Sequence, residues 1–186
     1  VIDAAPALGT APSRFPMCVS LHATKLLAIG EGGAVGGLDQ DRAEAVARYV
    51  NFGLSGDESS GFGTNAKLSE YAAAVGLALL DGQVDEEIAA RARNAVVYRS
   101  RLGDFVPKSV AETIYTMLPT FLPEKSAARI RRALTEIGVE HRQYYRPLVN
   151  LPGAVHCYER NVCLPVHGGL TFNDVAVICD TIERNL

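Results

Sequence analysis

Short β-favouring runs alternate along this chain with segments of helical period, and such an alternation folds only when helices cover a sheet. "VIDAA", "MCVSL" and "GGAVGGL" predict three short strands within the first 38 residues. "DRAEAVARYVNFG" predicts a helix with Ala43, Val46, Ala47 and Val50 on one face and Gly53 as its stop. "LSGDESSGFGTNAK", residues 54–67, is a Gly/Ser-rich loop of functional length. The helix expected from Leu68, "LSEYAAAVGLALLDG", is so apolar that it should be buried on most sides or packed against a second chain. A long amphipathic helix, "VDEEIAARARNAVVYRSRL", follows. Beyond Gly103 the texture changes: "TIYTMLPTFLP" predicts a strand, "EKSAARIRRALTEIG" a helix closed by Gly138, and "TFNDVAVICDTIERNL" a helix opened by a T-x-x-D capping box. The change places a domain boundary near residue 100.

Composition removes several classes of function. Eighteen Lys and Arg against 21 Asp and Glu give a net charge of -3, with the signs mixed, so no basic footprint for nucleic acid exists. The longest apolar stretch, "AAAVGLALL" at 72–80, is short of the roughly 18 residues of a membrane span. "VIDAAP" has neither the basic nor the apolar region of a signal peptide, and a cytoplasmic protein without membrane contact is expected. The four cysteines form no CxxC pair and the four histidines no HxxxH or HExxH pattern, which favours reduced, mostly packed thiols over a metal site or disulfides. Val1 stands inside an apparent strand without a methionine, so a preceding segment is expected.

"SLHATKLLAIGEGGAV", residues 20–35, carries the chemistry. Lys25 sits among small and apolar residues, where a depressed pKa would make its amine a nucleophile toward carbonyls; a surface lysine with small neighbours is the alternative. Asp3 ends an apolar strand, either as a carboxylate that needs a cationic partner or as a turn residue. Ser20 offers a hydroxyl close to the lysine turn, and the glycines of "GEGG" permit close backbone approach to a ligand. Asn65 lies in a glycine-rich loop just before a helix N-terminus, a favourable place for an anion. An acid for a ring nitrogen, an amine for an aldehyde, and hydroxyls with amides for a phosphate are the requirements of pyridoxal 5'-phosphate (PLP).

The blocks S-x-H-x-x-K-x-x-x-x-GEGG and G-x-N-x-K-x-SE-x-x-AA-x-G, with "EHRQYYRPL" and "VCLPVHGGLT", resemble the PLP-dependent sugar aminotransferases of the DegT/StrS family, within fold-type-I aminotransferases. The likeness covers essentially the whole chain and corresponds to the C-terminal half of a family member. It implies an α/β fold: the C-terminal part of the large PLP-binding domain over 1–100, then a small α+β domain over 101–186. It implies that Lys25 joins the cofactor aldehyde and moves a proton, Asp3 pairs with the ring nitrogen, and Ser20 binds the phosphate. Asn65 would reach the cofactor of a neighbouring subunit in a homodimer with shared active sites, its interface centred near residues 62–76. His22 and Glu31 would serve positioning at most, and a structural histidine is an equal reading of His22. Arg142 and Tyr145 match a segment near the sugar-nucleotide end of the cleft. The implied reaction moves an amino group from glutamate or glutamine to a keto-sugar nucleotide, without a metal. Ala5 and Pro6 stand where the family often has a Gln or His near the ring hydroxyl. Retention of Lys25 argues against the dehydratase branch, which has histidine there. The reading from a different class is a non-catalytic dimerisation or regulatory remnant.

Overall fold

The computed structural model describes residues 1–8, 14–108 and 116–186, and the chain divides into two compact units, Val1–Val84 and Asp85–Leu186. In the first unit, β1 (Ile2–Asp3), β2 (Met17–Ser20) and β3 (Gly33–Gly36) form a three-stranded sheet in the order β1-β2-β3. β1 runs parallel to β2 with Asp3 opposite Cys18, and β3 returns antiparallel with Gly33 opposite Ser20. Helix α1 (Gln40–Val50) starts at Asp39, whose carboxylate accepts the Arg42 N–H at 2.9 Å. The predicted loop at 54–67 holds more order than its composition suggests: β4 (Leu54–Ser55) and β5 (Glu58–Ser59) pair as a small hairpin, and Asn51 bridges Asn65.

Helix α2 (Glu70–Leu80), capped by Ser69, departs from the expectation that it is buried on most sides. Only Gly76 is buried, whereas Tyr71 is 88% and Leu77 71% exposed. Its inner stripe is narrow: Ala72 and Leu79 pack on Leu21, Leu27 and Ile29, and Gly76 lets the helix approach Ile29 closely. Uniform hydrophobicity along a helix cannot say which side faces its own core.

The second unit holds the larger core. Helix α3 (Gln83–Leu102), β6 (Met117–Phe121), α4 (Glu124–Glu136), α5 (Pro152–Arg160), β7 (Asn161–Pro165) and α6 (Phe172–Arg184) succeed one another. β6 and β7 pair antiparallel with Pro119 opposite Cys163, and Arg142 bridges the far edge of β7. Leu118, Leu164, Ile130, Leu134, Ile178 and Ile182 are fully buried or nearly so, with Tyr98 and Leu102 of α3 against the same core. The capping box at Thr171 and Asp174 forms as the sequence predicts. The expected strand shrinks to Met117–Phe121, and residues 113–115 of it lie outside the described residues. α5 and β7 leave no clear pattern in the sequence. Pro152 and Gly153 look like breakers, although proline is at home in the first turn of a helix, and β7 is buried throughout and so shows no alternation.

The thiols divide. Cys163 and Cys179 are buried, whereas Cys18 and Cys157 are exposed, which corrects the expectation of mostly packed thiols. Burial pushes the Cys179 thiol up from 9.0 to about 11. A raised folded-state pKa stabilises the fold fully below the unfolded value, and that stabilisation disappears as pH rises through the folded one. Denaturant melts between pH 8 and 12 should therefore show stability falling from about pH 9 through about 11. In Cys179→Ala that component of the fall should vanish, and an unchanged profile would sink the assignment.

Candidate active site

Two carboxyl ends of parallel strands create the site's floor. Asp3 ends β1 and Ser20 ends β2, and ligands of open α/β sheets gather outside such ends. Because Asp3 stands opposite Cys18 and side chains alternate along β2, Asp3, Cys18 and Ser20 share one face of the sheet. The Asp3 Oδ1 accepts the Ala5 N–H at 3.0 Å, a local turn bond. Among the described residues no cation pairs with Asp3. The turn reading of the sequence is met, and one carboxylate oxygen keeps its acceptor capacity.

The chain then leaves β2 into a closed loop that carries Lys25. Leu21 N–H donates to Gly32 O at 2.9 Å, Ala23 N–H to Gly30 O at 2.8 Å and Ile29 N–H to Leu21 O at 3.1 Å. Gly30 has φ +97°, a left-handed conformation that a side chain would strain. Leu21, Leu27 and Ile29 anchor the loop in the core against α2. Lys25 itself is half-buried at the tip, its N–H bonded to His22 O at 2.8 Å. Among the described residues its ammonium makes no hydrogen bond and no ion pair. A firmly held loop thus presents an uncommitted amine.

His22 braces that loop. Its Nδ1 accepts the Thr24 N–H at 3.2 Å, which puts the ring proton on Nε2, 3.6 Å from Glu31 Oε1. The structural reading of His22 is the one that the geometry supports. Ser20 Oγ accepts the His22 N–H at 3.3 Å, and among the described residues its own hydroxyl proton has no acceptor.

Asn65 lies on a different support. Thr64 N–H donates to Tyr49 O at 2.7 Å, Ala66 N–H to Val50 O at 2.9 Å, and Phe52 N–H to Thr64 O at 3.0 Å, so residues 64–66 are laid along the end of α1. The Asn65 side chain is exposed, with no hydrogen-bond partner among the described residues. Gly63 and Gly53 make this crossing possible: a Cβ on Gly63 would overlap the Gly53 backbone. Gly63→Ala should therefore loosen the crossing by about 1–3 kcal/mol. Faster hydrogen exchange at Thr64 and Ala66 is the expected signal, and unaltered protection there would contradict the packing argument.

Arg142 and Tyr145 belong to the second unit. Arg142 exchanges backbone bonds with Cys163 at 3.1 and 2.7 Å and pairs through its guanidinium with Glu140, while the exposed Tyr145 stacks on Tyr144 with ring centroids 4.6 Å apart. The lysine loop belongs to the first unit. A cavity of about 370 Å³ lined by Ile137, Glu140, His167, Leu170 and Asp174 also lies in the second unit and holds none of the site residues expected from sequence. Cys18 also lies beside Asp3 on the sheet face: the period of two along "MCVSL" puts it with Ser20, and the register with β1 puts it next to Asp3. No group of three or more His, Cys, Asp or Glu residues that could hold a metal occurs among the described residues, and none of their helices is long and apolar enough to cross a membrane.

The model of the DegT/DnrJ/EryC1/StrS aminotransferase family matches residues 3–183. Protein Rv3402c of Mycobacterium tuberculosis is 31% identical over 187 residues, covering 89% of this chain and 45% of that protein. A dTDP-4-amino-4,6-dideoxy-D-glucose transaminase of Shigella dysenteriae is 25% identical, covering 89% and 51%. The crystal structure of the sugar aminotransferase CalS13 from Micromonospora echinospora matches with TM-score 0.81 and 25% identity, over 92% of this chain and 52% of that one. PseC of Helicobacter pylori shares the fold at TM-score 0.85 and 23% identity, over 98% of this chain and 58% of that one. The chain spans about half the length of the curated relatives it matches.

Proposed function

Since this chain belongs to the DegT/DnrJ/EryC1/StrS aminotransferase family, we propose that it forms the lysine-bearing half of a PLP-dependent sugar aminotransferase site. The observation that carries the reading is the uncommitted Lys25 amine on a rigid loop, next to the strand ends that bear Asp3 and Ser20. In the proposed division, residues 1–100 complete the large cofactor domain and 101–186 form the small domain.

The residues present fit PLP by the chemistry of their donor set: one amine for an aldehyde, one carboxylate for a ring nitrogen, a hydroxyl and an amide for phosphate oxygens. When bound, that cofactor supplies the electron sink that lets an amino group pass between an amino acid and a keto compound. The chain's own part is to place and to move protons. Lys25 Nζ, held at the tip of its loop, would hold the cofactor through its aldehyde and would serve as the base that takes a proton and returns it. The second Asp3 oxygen, without a partner among the described residues, would hold the proton on the ring nitrogen, because a carboxylate within reach favours the cationic form. Ser20 Oγ and the Asn65 amide donate to the phosphate, Asn65 toward the cofactor of a second subunit. The exposed apolar side of α2, with Tyr71 and Leu77, supports such a homodimer. The substrates in this reading are glutamate or glutamine and a keto-sugar nucleotide, with Arg142 and Tyr145 at the nucleotide end of a cytoplasmic enzyme.

The test uses covalent trapping. Purified protein incubated with PLP should show a visible absorbance band, and borohydride should then fix a pyridoxyl group on the peptide that contains Lys25. Label on other lysines alone would defeat the proposal and favour a non-catalytic remnant.

A further inference from the structure

Phe52 is the non-glycine residue with positive φ among the described residues, at +61°. That conformation is unfavourable for a bulky side chain and persists only where neighbours hold it. Lys67 does so twice. Its Nζ lies 4.1 Å from the centre of the Phe52 ring and donates to Asn51 Oδ1 at 2.9 Å. Asn51 is also the bridge partner of Asn65, two residues before Lys67. One side chain therefore closes a small circuit: Lys67 grips residues 51 and 52, and these carry the backbone of Asn65.

We propose that Lys67 is a positioning residue for the phosphate-binding amide of Asn65, acting through Asn51 and Phe52 without touching the cofactor itself. The inference rests on the PLP reading given above. Its physical content is preorganisation: the strained turn at Phe52 fixes the backbone of residues 64–66, so the segment that carries Asn65 loses no further backbone freedom when its amide meets an anion. Arginine could reproduce both the stacking and the hydrogen bond, whereas methionine keeps the apolar stem and loses both.

The experiment measures binding of PLP and of pyridoxal, which lacks the phosphate, by absorbance titration of the purified protein. Lys67→Met should weaken PLP about five- to tenfold, the effect of losing one exposed cation–π contact and one hydrogen bond, and leave pyridoxal unchanged. Lys67→Arg should restore the PLP affinity. In an Asn65→Ala background, Lys67→Met should have no further effect. Full additivity there would mean that Lys67 contacts the ligand directly, and unchanged PLP affinity in Lys67→Met would mean that it positions nothing; either result overturns the proposal. Equal weakening of PLP and pyridoxal, or thermal melting of Lys67→Met well below the parent, would show a general structural role and overturn it too. Absence of PLP binding by the parent protein is a separate outcome, which sinks the cofactor reading and this inference with it.

Discussion

Replacing Lys25 by alanine is expected to abolish the visible absorbance of the PLP-loaded protein and to lower turnover by roughly four orders of magnitude, about 5 kcal/mol of barrier. The fold should survive, because Leu21, Leu27 and Ile29 anchor the loop while Lys25 stands half-buried at its tip. A thermal melt equal to the parent's, together with a lost band, is the expected pair of results. Activity within tenfold of the parent would remove Lys25 from the mechanism. The same variant tests the shared site. Mixed with Asn65→Ala, it should regain up to one intact site per dimer, since the hybrid combines one sound lysine loop with one sound asparagine segment. No recovery despite demonstrated subunit exchange would mean that each site is built from one chain.

Asp3→Asn should act differently. Its Oδ1 can still accept the Ala5 N–H, so the turn after β1 stays formed and the protein remains folded. What disappears is the negative charge proposed to keep a ring nitrogen protonated. Cofactor should still bind covalently, while proton transfer slows by several orders of magnitude, because an unprotonated pyridine is a poor electron sink. Turnover with a keto-sugar nucleotide and glutamate is the readout. A loss of less than about tenfold, or roughly 1.4 kcal/mol, would show that Asp3 serves its turn alone.

Local chemistry was legible wherever a residue's role depends on its near neighbours. The Thr171 capping box needs only Asp174 three positions on, and it forms. The glycines of "GEGG" signal a tight loop because a positive φ at Gly30 excludes most side chains, and the backbone bonds of residues 21–32 close there. The alternation of short strands and helices was likewise readable, and the family blocks pointed to the fold that the structural matches share.

Other features were decided in space. The fully buried β7 shows no period because neither face is exposed, Val162 and Leu164 lying in the core while Asn161 accepts the Tyr144 N–H, and α5 hid behind Pro152 and Gly153. The split of the cysteines into two buried and two exposed depends on which strand or helix face meets a core. Only the pairing register set Cys18 beside Asp3, and only the crossing of Gly63 over Gly53 laid Asn65 along the end of α1. In this protein the sequence by itself determined the candidates for the site and the tightness of the loop that carries Lys25, since both are read within a few residues. The tertiary structure alone decided which side of α2 supports that loop and which side stays open. A helix apolar all round carries no marker of direction, so the choice falls to the shape of what packs against it: Gly76 and its neighbours fit Ile29, and Tyr71 and Leu77 do not.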